Sequence, residues 1–324
     1  MSNQLYSIKE PVKEELIKFE KHFRNAMKSN VALLDRIMYY IIQRKGKQIR
    51  PIFVFLSAKA AGKCTDTTFN AASLIELLHT ATLVHDDVVD ESMERRSFFS
   101  INALWKNKVA VLVGDYLLAQ GLQLAVNNRE FESLRIVSGA VKDMSEGELL
   151  QIEKARKLDI KEEIYFEIIR QKTASLIAAA CEAGAASSGV DKTIYEQFRL
   201  FGEKVGIAFQ IKDDLFDYGT KDVGKPLGID IKEKKMTLPL IYALQQAERP
   251  VKRHIINLIK NQSKNQKAVQ EVIQFVHQSG GMEYAEKRMV EYCDEAINIL
   301  RNVSDNEATN ALEKLMHYVI NREK

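Results

Sequence analysis

The stretch LLHTATLVHDDVVDESMERR, residues 77–96, joins an apolar helical pattern to three carboxylates and two arginines. Asp86 and Asp90 are four residues apart, so they share one face of a helix, with Asp87 at its flank. Like charges at the C-terminal end of a helix repel each other and are opposed by the helix dipole. An isolated motif of this kind is usually a solvated acidic face, but here the preceding turns are apolar. Carboxylates in such a setting suit Mg²⁺ that is also bound by a substrate phosphate.

The same spacing returns 127 residues later (213 − 86) in FQIKDDLFDY, residues 209–218. Asp213, Asp214 and Asp217 again follow an apolar helical run. If the two helices face each other, six carboxylates surround a cavity that only cations could neutralise. A diphosphate held there by several Mg²⁺ ions becomes a good leaving group. The alternative is two unrelated acidic turns.

Basic residues predict a second anion site. The stretch RKGKQIRP, residues 44–51, places four basic side chains around one glycine, just before a helix that we expect to start at Pro51. The start of a helix offers free backbone N–H groups and a positive dipole end. Together with Arg95 and Arg96, this loop predicts two phosphorylated substrates.

Helical periodicity extends over most of the 324 residues. Runs of β-branched residues bounded by turns are missing, and no Pro- or Gly-rich linker divides the chain. We therefore predict a single all-α domain over residues 1–324. Apolar residues recur at helical spacing in segments 11–44, 51–62, 67–90, 109–127, 130–156, 160–188, 191–218, 234–248, 251–261, 265–279, 282–301 and 305–322.

Composition narrows the class of protein. The 47 basic and 44 acidic residues give a net charge of +3, which is not typical of a nucleic-acid-binding protein. Three widely spaced cysteines indicate a reducing compartment, and residues 1–23 lack the apolar segment of a secretory signal. No uninterrupted apolar run approaches the roughly 20 residues of a membrane span. We expect a cytoplasmic protein without nucleic-acid partners.

With these motifs in place, the chain resembles the trans-isoprenyl diphosphate synthases, in particular the long-chain all-trans polyprenyl group that includes octaprenyl and heptaprenyl diphosphate synthases. The motifs that carry the resemblance span most of the chain in the family's order. They are GKQIRP (46–51), residues 77–96, NALWKNKVAVLVGDYLLA (102–119), KTA (172–174), FQIKDDLFDY (209–218) and GKPLGIDIKEKKMTLP (224–239).

The resemblance implies a bundle of antiparallel helices around a deep central cavity, usually in a homodimer. It also implies a reaction in which an allylic diphosphate ionises and the resulting cation is attacked by isopentenyl diphosphate. The expected Mg²⁺ ligands are Asp86, Asp87, Asp90, Asp213, Asp214 and Asp217. Arg95, Lys172, Lys225 and Lys235 would neutralise the allylic diphosphate, and Lys47, Arg50, His79 and Arg96 would bind isopentenyl diphosphate. Thr173 and Gln210 would present oxygens to the developing cation.

Two positions depart from the family pattern. Ser97 follows the paired arginines where the family usually has Gly, and SFFS (97–100) replaces a glycine-led loop. Lys234 stands where Gly is common, which leaves open whether Lys234 or Lys235 faces the diphosphate; spacing to TLP (237–239) favours Lys235.

Product length follows from the helix below Asp86, along which the growing chain should run. The face descends through Thr82, Leu78, His79, Ile75, Ala72 and Ala71. Short-chain members typically block the first turn with an aromatic residue, whereas Ala81 and Thr82 leave it open. Fifteen residues of helix span roughly 22 Å, which favours six to eight isoprene units. A facing helix around 117–124 could also form the floor. Such a product would serve as a quinone side chain and be handed to a membrane.

Two alternatives remain. A class I terpene cyclase shares one such acidic motif, but its second motif normally includes Asn, Ser or Thr, and it gives the GKQIRP loop no role. A non-catalytic subunit of another synthase would be expected to lose aspartates or basic residues that all stand here.

Overall fold

The computed structural model describes residues 3–44, 46–95, 98–155, 158, 160–219 and 227–321. It is 83% helical, and the all-α prediction is confirmed. The helices are α1 Asn3–Lys9, α2 Lys13–Ala26, α3 Ala32–Gln43, α4 Ile49–Ala61, α5 Asp66–Val89, α6 Ile101–Asn127, α7 Phe131–Ala155, α8 Glu162–Ile169, α9 Ser175–Ala186, α10 Lys192–Asp217, α11 Ile229–Lys232, α12 Leu238–Gln246, α13 Arg249–Gln262, α14 Gln266–Gln278, α15 Gly281–Val303 and α16 Glu307–Ile320.

The chain divides into two compact units. Unit 1 comprises residues 1–141, 176–199 and 300–312, and unit 2 comprises residues 142–175, 200–299 and 313–324. The expectation of one domain over residues 1–324 stays a prediction.

Several local features differ from the predicted segments. Helices α1 and α11 lie outside them, α6 begins eight residues before segment 109–127, and α12 begins four residues after the start of segment 234–248. Segment 11–44 is interrupted between α2 and α3. Segment 160–188 contains one turn of π-helix, Arg170–Ala174, between α8 and α9. A two-stranded antiparallel hairpin, β1 Glu94–Arg95 and β2 Phe98–Phe99, lies where no strand was expected. A strand pair this short has no periodicity for a sequence pattern to reveal.

Unit 1 is organised by the packing of α5 against α6, which approach closely where α6 carries glycine. A Cβ atom at Gly114 would lie 2.1 Å from Nε2 of His85, and one at Gly121 would lie 3.2 Å from Cδ1 of Leu74. His85 Nε2 also lies 3.2 Å from the carbonyl oxygen of Val111. The end of α5 that bears the first acidic motif is therefore fixed against α6.

Helix α6 has an irregular start and an apolar exposed face. Lys106 departs from helical geometry, with φ 69° and ψ 160°. By length and composition α6 is the one helix among the described residues that could cross a membrane, and 33% of its most apolar window is buried. The exposed apolar residues of this helix are Leu104, Val111, Leu112, Leu122 and Val126.

Unit 2 closes around short contacts between its helices. A Cβ at Gly281 would lie 2.4 Å from the carbonyl oxygen of Pro239, so the start of α15 packs directly on α12. The rings of Tyr242 and Tyr284 stack, with centroids 4.2 Å apart. Helices α13 and α14 bury an apolar face each and expose a polar one, as their sequence periodicity predicts.

Candidate active site

The first acidic motif lies at the C-terminal end of α5 in unit 1. Asp86 and Asp90 are exposed, whereas Asp87 is only 3% exposed. Oδ1 of Asp87 accepts hydrogen bonds from Nε (2.8 Å) and Nη2 (2.7 Å) of Arg95. Burial raises the pKa of Asp87, and Arg95 opposes that shift. Arg95 therefore lies at the motif, but in this conformation it is the partner of a carboxylate.

The hairpin returns Arg95 towards the helix it has just left, and α6 begins directly after it. The Ser100 hydroxyl donates to the Ser92 carbonyl oxygen at 2.7 Å. The buried amide of Asn102 donates to the carbonyl oxygens of Asp87 (3.2 Å) and Ser92 (3.1 Å). These carbonyl groups lie at the end of α5, where intrahelical partners run out. Asn102 therefore holds the end of the first motif in place.

The basic loop leads into α4, which begins at Ile49, two residues before the predicted start at Pro51. Lys47 is exposed in this loop, and Gln48 has a left-handed φ of 53°. Nη1 of Arg50 donates to Nε2 of His79 at 2.9 Å, so that nitrogen of the buried imidazole carries no hydrogen.

A cavity of about 110 Å³ in unit 1 is lined by Gly46, His79, Asp87, Arg95 and the hairpin phenylalanines. The lining of the cavity combines apolar residues of α3 and α5 with charged side chains. Of the four residues expected to bind isopentenyl diphosphate, the structure joins Arg50 directly to His79 and leaves Lys47 on the loop next to them. Arg96 lies outside the described residues.

The second acidic motif ends α10 in unit 2, and two of its carboxylates have specific protein partners. Asp214 accepts from the Tyr165 hydroxyl (2.7 Å) and from Nε2 of Gln210 (2.9 Å). Burial, with a contribution from Asp230, raises the pKa of Asp214 to about 7. Asp217 accepts the backbone N–H groups of Ile229 (2.7 Å) and Asp230 (3.2 Å), and burial with Asp230 raises its pKa to about 6.

A hydrogen-bond chain connects this motif to the KTA stretch. Thr173 Oγ1 donates to Oε1 of Gln210 at 2.8 Å, and Gln210 in turn donates to Asp214. Gln210 and Asp214 are one turn apart on α10, and Gly206 lies one turn earlier. A Cβ at Gly206 would lie 2.4 Å from Cα of Ala174, so α10 reaches the π-helical turn only because this residue is glycine. A π-helical turn of this kind is frequent at functional sites.

Two lysines complete a cavity of about 190 Å³ in unit 2, which is lined by Lys172, Thr173, Gln210, Asp214, Asp230 and Lys235. Lys172 forms an ion pair with Glu148 and donates to Gln151 at 3.3 Å. Lys235 lies 3.7 Å from Asp230, whereas Lys234 donates to the carbonyl oxygen of Lys260. Of the two lysines, the structure places Lys235 at the cavity. Lys225 lies outside the described residues.

Three residues at these sites were not predicted from the sequence. Tyr165 lies seven residues before Lys172, a helical spacing that could have indicated a shared face. Asp230 belongs to the quoted stretch 224–239, and its carboxylate could have been added to the acidic cluster. Asn102 also lies in a quoted motif, but an isolated asparagine carries no local signal of its role.

The carboxylates fit a metal that a substrate helps to bind. Among the described residues no group of three His, Cys, Asp or Glu side chains is arranged as a complete metal site. Mg²⁺ is commonly held by one or two carboxylates together with substrate phosphates and water. Burial, with the neighbouring carboxylate of Asp230, raises the pKa values of Asp214 and Asp217, so a divalent cation bound here would stabilise the ionised forms that act as oxygen ligands.

Comparisons with known proteins agree with one another. Residues 31–276 match the model of the family described as Polyprenyl synthetase. The chain is 35% identical over 300 residues to octaprenyl diphosphate synthase of Escherichia coli strain K12, covering 92% of this chain and 93% of that protein.

Two solved structures are similar to the fold. The crystal structure of a decaprenyl diphosphate synthase from Rhodobacter capsulatus has a TM-score of 0.93 and 32% identity, covering 99% of both chains. That of a polyprenyl synthase from Caulobacter crescentus CB15, complexed with calcium and isoprenyl diphosphate, has a TM-score of 0.90 and 32% identity, covering 99% of this chain and 98% of that one.

Proposed function

The chain belongs to the polyprenyl synthetase family and is a prenyltransferase of EC class 2.5.1, and we propose that it adds isopentenyl diphosphate units to an allylic diphosphate. The observation that carries the proposal is the set of groups around the cavity of unit 2. Lys172 and Lys235 supply positive charge, and the Thr173–Gln210–Asp214 chain supplies oriented oxygens. Such an arrangement suits the departure of a diphosphate and the stabilisation of a cation.

The side chains of unit 2 take distinct roles in this reaction. Lys172 and Lys235 would bind the departing diphosphate as point charges. The Thr173 hydroxyl donates to Gln210, so its lone pairs remain available to face the developing carbocation. Asp214 holds Gln210, and Tyr165 holds Asp214, which keeps both oxygens oriented before substrate arrives.

In unit 1, Lys47, Arg50 and His79 would bind isopentenyl diphosphate, with Arg96 assigned by resemblance. The hydrogen bond from Arg50 to His79 fixes the guanidinium group beside the loop that carries Lys47. Arg95 would exchange Asp87 for a diphosphate oxygen as its partner when the allylic substrate binds. Guanidinium groups suit both partners because their N–H fork matches carboxylate and phosphate alike.

Mg²⁺ is the proposed cofactor, with several ions per active site. Bound Mg²⁺ would neutralise the diphosphate and make it a better leaving group. The proposed ligands are Asp86, Asp87 and Asp90 in unit 1 and Asp213, Asp214 and Asp217 in unit 2. The calcium and isoprenyl diphosphate bound in the Caulobacter relative support a divalent site of this class.

The proposed product has six to eight isoprene units and serves as a quinone side chain. Ala71, Ala72, Ile75 and Leu78 form a buried apolar face of α5 with no aromatic residue in it, which supports a long product. Burial on this face stabilises the chain by about 0.8 kcal/mol per CH₂ group. Thr82→Phe should shorten the product, whereas Thr82→Val, which keeps the side-chain volume, should not.

We also propose a homodimer in the cytoplasm that releases its product to a membrane. The exposed apolar residues of α6 form a face that a second copy would cover. Three free thiols, Cys64, Cys181 and Cys293, suit a reducing compartment. A prenyl chain of this length requires an apolar phase after release.

The test is an assay of the purified chain with farnesyl diphosphate, labelled isopentenyl diphosphate and Mg²⁺, with products sized by mass spectrometry and EDTA as the control. A metal-dependent prenyl diphosphate of six to eight units is expected. Asp86→Ala and Asp213→Ala should abolish turnover while the circular dichroism spectrum stays unchanged. Normal turnover in either variant would refute the metal assignment.

Two other outcomes would favour the alternatives. A cyclic hydrocarbon formed without isopentenyl incorporation would indicate a terpene cyclase. An inactive chain that regains activity when a second protein is added would indicate a subunit of a hetero-oligomer.

A further inference from the structure

The two phenylalanines of the hairpin have no role in the proposed reaction. Phe98 and Phe99 form strand β2, and their side chains are 47% and 58% exposed. They occupy the SFFS stretch that departs from the family pattern. Both phenylalanines line the cavity that also contains His79, Asp87 and Arg95 in its lining.

The hairpin is joined to the end of α3 by stacked rings and short hydrogen bonds. The guanidinium carbon of Arg44 lies 3.8 Å from the ring centroid of Tyr40 and 4.3 Å from that of Phe98. Arg44 Nη1 donates to the Tyr40 hydroxyl at 2.6 Å, and that hydroxyl donates to the Phe99 carbonyl oxygen at 2.6 Å. Trp105 packs edge-on against Tyr40 with centroids 5.2 Å apart. We name Tyr40, Arg44, Phe98, Phe99 and Trp105 the aromatic clasp.

The aromatic clasp joins two segments that carry basic residues. Arg44 ends α3 two residues before Gly46, so it fixes one end of the loop that contains Lys47. Phe98 pairs with Arg95 across the hairpin. Arg44, Arg95 and Phe98 all line the cavity that also contains His79 and Asp87. One cluster of contacts therefore fixes the separation of the loop and the hairpin.

The hairpin needs such external support. An isolated two-stranded hairpin is marginally stable in water even when its strands are longer than two residues. Its other anchors are the Arg95–Asp87 pair and the contacts of Ser100 and Asn102 with Ser92. Because these anchors fix the hairpin near the end of α5, the aromatic clasp ties the Lys47 loop to a segment that is itself held in place.

We propose that the aromatic clasp positions the Lys47 loop for isopentenyl diphosphate and thereby sets the affinity for that substrate. This inference rests on the proposed function. The clasp residues are positioning residues, because they act through the basic groups that they hold. Their loss should raise the KM for isopentenyl diphosphate and leave kcat nearly unchanged. The hairpin that carries Arg95, the residue assigned to the allylic diphosphate, keeps its own anchors between Ser92, Ser100 and Asn102, and the lysines that promote ionisation lie on other elements.

The kinetic test compares four variants of the full chain. Phe98→Ala removes one stacked ring, and Tyr40→Phe removes both hydroxyl hydrogen bonds while keeping the ring. Each should raise the KM for isopentenyl diphosphate about fivefold, with kcat and the KM of the allylic substrate within about twofold of wild type. Phe98→Tyr keeps the ring and should restore the wild-type KM. Tyr39→Phe, at an exposed neighbouring tyrosine, is the matched control and should change nothing.

Trp105 provides a second readout that does not depend on turnover. It is the only tryptophan in the chain and contacts Tyr40 directly. Isopentenyl diphosphate titrated without an allylic substrate should change the fluorescence of Trp105 and yield its dissociation constant. Phe98→Ala and Tyr40→Phe should raise this constant by the same factor as the KM.

The outcomes separate this inference from the proposed function. If active enzyme shows the same KM and dissociation constant in Phe98→Ala as in wild type, the clasp inference is wrong. It is equally wrong if both substrates are affected alike, because that would be a general structural effect. A chain that makes no prenyl product but binds isopentenyl diphosphate in a clasp-dependent way would refute the proposed function and support the clasp.

Discussion

The replacement Asp214→Asn should stabilise the metal-free protein at high pH and not at low pH. Asp214 is 4% exposed, and burial together with Asp230 raises its pKa from 3.8 to about 7. A carboxyl group whose pKa is higher in the folded state contributes stability that is complete below about pH 4. That contribution is lost as the pH rises to about 7. Asparagine does not titrate, so the variant escapes this loss.

The magnitude follows from the shift in pKa. Between pH 5 and pH 8 there are about two pH units over which the folded wild type holds the proton of Asp214 and the unfolded chain does not. Each of these units lowers the free energy of unfolding by about 1.4 kcal/mol. The stability of Asp214→Asn relative to wild type should therefore rise by about 3 kcal/mol across this range. With an unfolding entropy of about 0.7 kcal/mol/K for a chain of this length, the relative thermal midpoint should rise by about 4 °C.

The change with pH in the thermal midpoint of Asp214→Asn relative to wild type tests the pKa better than the difference in midpoint at one pH. The amide of asparagine cannot accept from both Tyr165 and Gln210 as the carboxylate does, which costs about 1 kcal/mol at every pH. Thermal midpoints of both proteins should be measured without metal at pH 5 and pH 8. Asn127→Ser, an exposed substitution without a titrating group, is the control and should shift both midpoints equally.

A difference in thermal midpoint that does not change with pH would contradict this prediction. If the difference between Asp214→Asn and wild type is the same at pH 5 and pH 8, Asp214 does not carry a raised pKa in the folded protein. The same variant should lose turnover, because the Asp214 carboxylate that destabilises the metal-free protein is also the group that would bind the cation.

Three further predictions concern glycine, strain and assembly. Gly206→Ala should lower both the thermal midpoint and turnover, because its Cβ would lie 2.4 Å from Cα of Ala174. Gly139→Ala is the control and should slightly raise the midpoint, since nothing lies within 4 Å of its Cβ. Equal midpoints for the two variants would contradict the close contact. Lys106→Gly should raise the free energy of unfolding of unit 1 in urea by about 1–3 kcal/mol, since φ 69° and ψ 160° lie in a region that favours glycine. A destabilised variant would show that Lys106 is not strained. Leu122→Glu should convert the proposed dimer to a monomer in light scattering, and an unchanged mass would place the interface elsewhere.

Helical periodicity and the two acidic motifs were sufficient to predict the fold class and the family. Helical periodicity is a local property, so most helix bounds agree within two residues of the predicted segments, as in α10 Lys192–Asp217 against 191–218. The failures occurred where local pattern carries no signal. The π-helical turn at Arg170–Ala174 lies against Gly206 of α10, and the hairpin is hydrogen-bonded to α3, so both features involve contacts between segments distant in the sequence.

The partner of each reactive group depends on tertiary contacts that the sequence did not reveal. Asp87 pairs with Arg95, and Asp214 accepts from Tyr165, which lies 49 residues away in the chain. The stacking of Arg44 between Tyr40 and Phe98 joins segments more than 50 residues apart. Spacing along the sequence shows which residues share a face of one helix. It does not show which residues of another element pack against that face. That packing sets the burial and hydrogen bonding of each side chain, which in turn determine the pKa values and the orientation of the site residues.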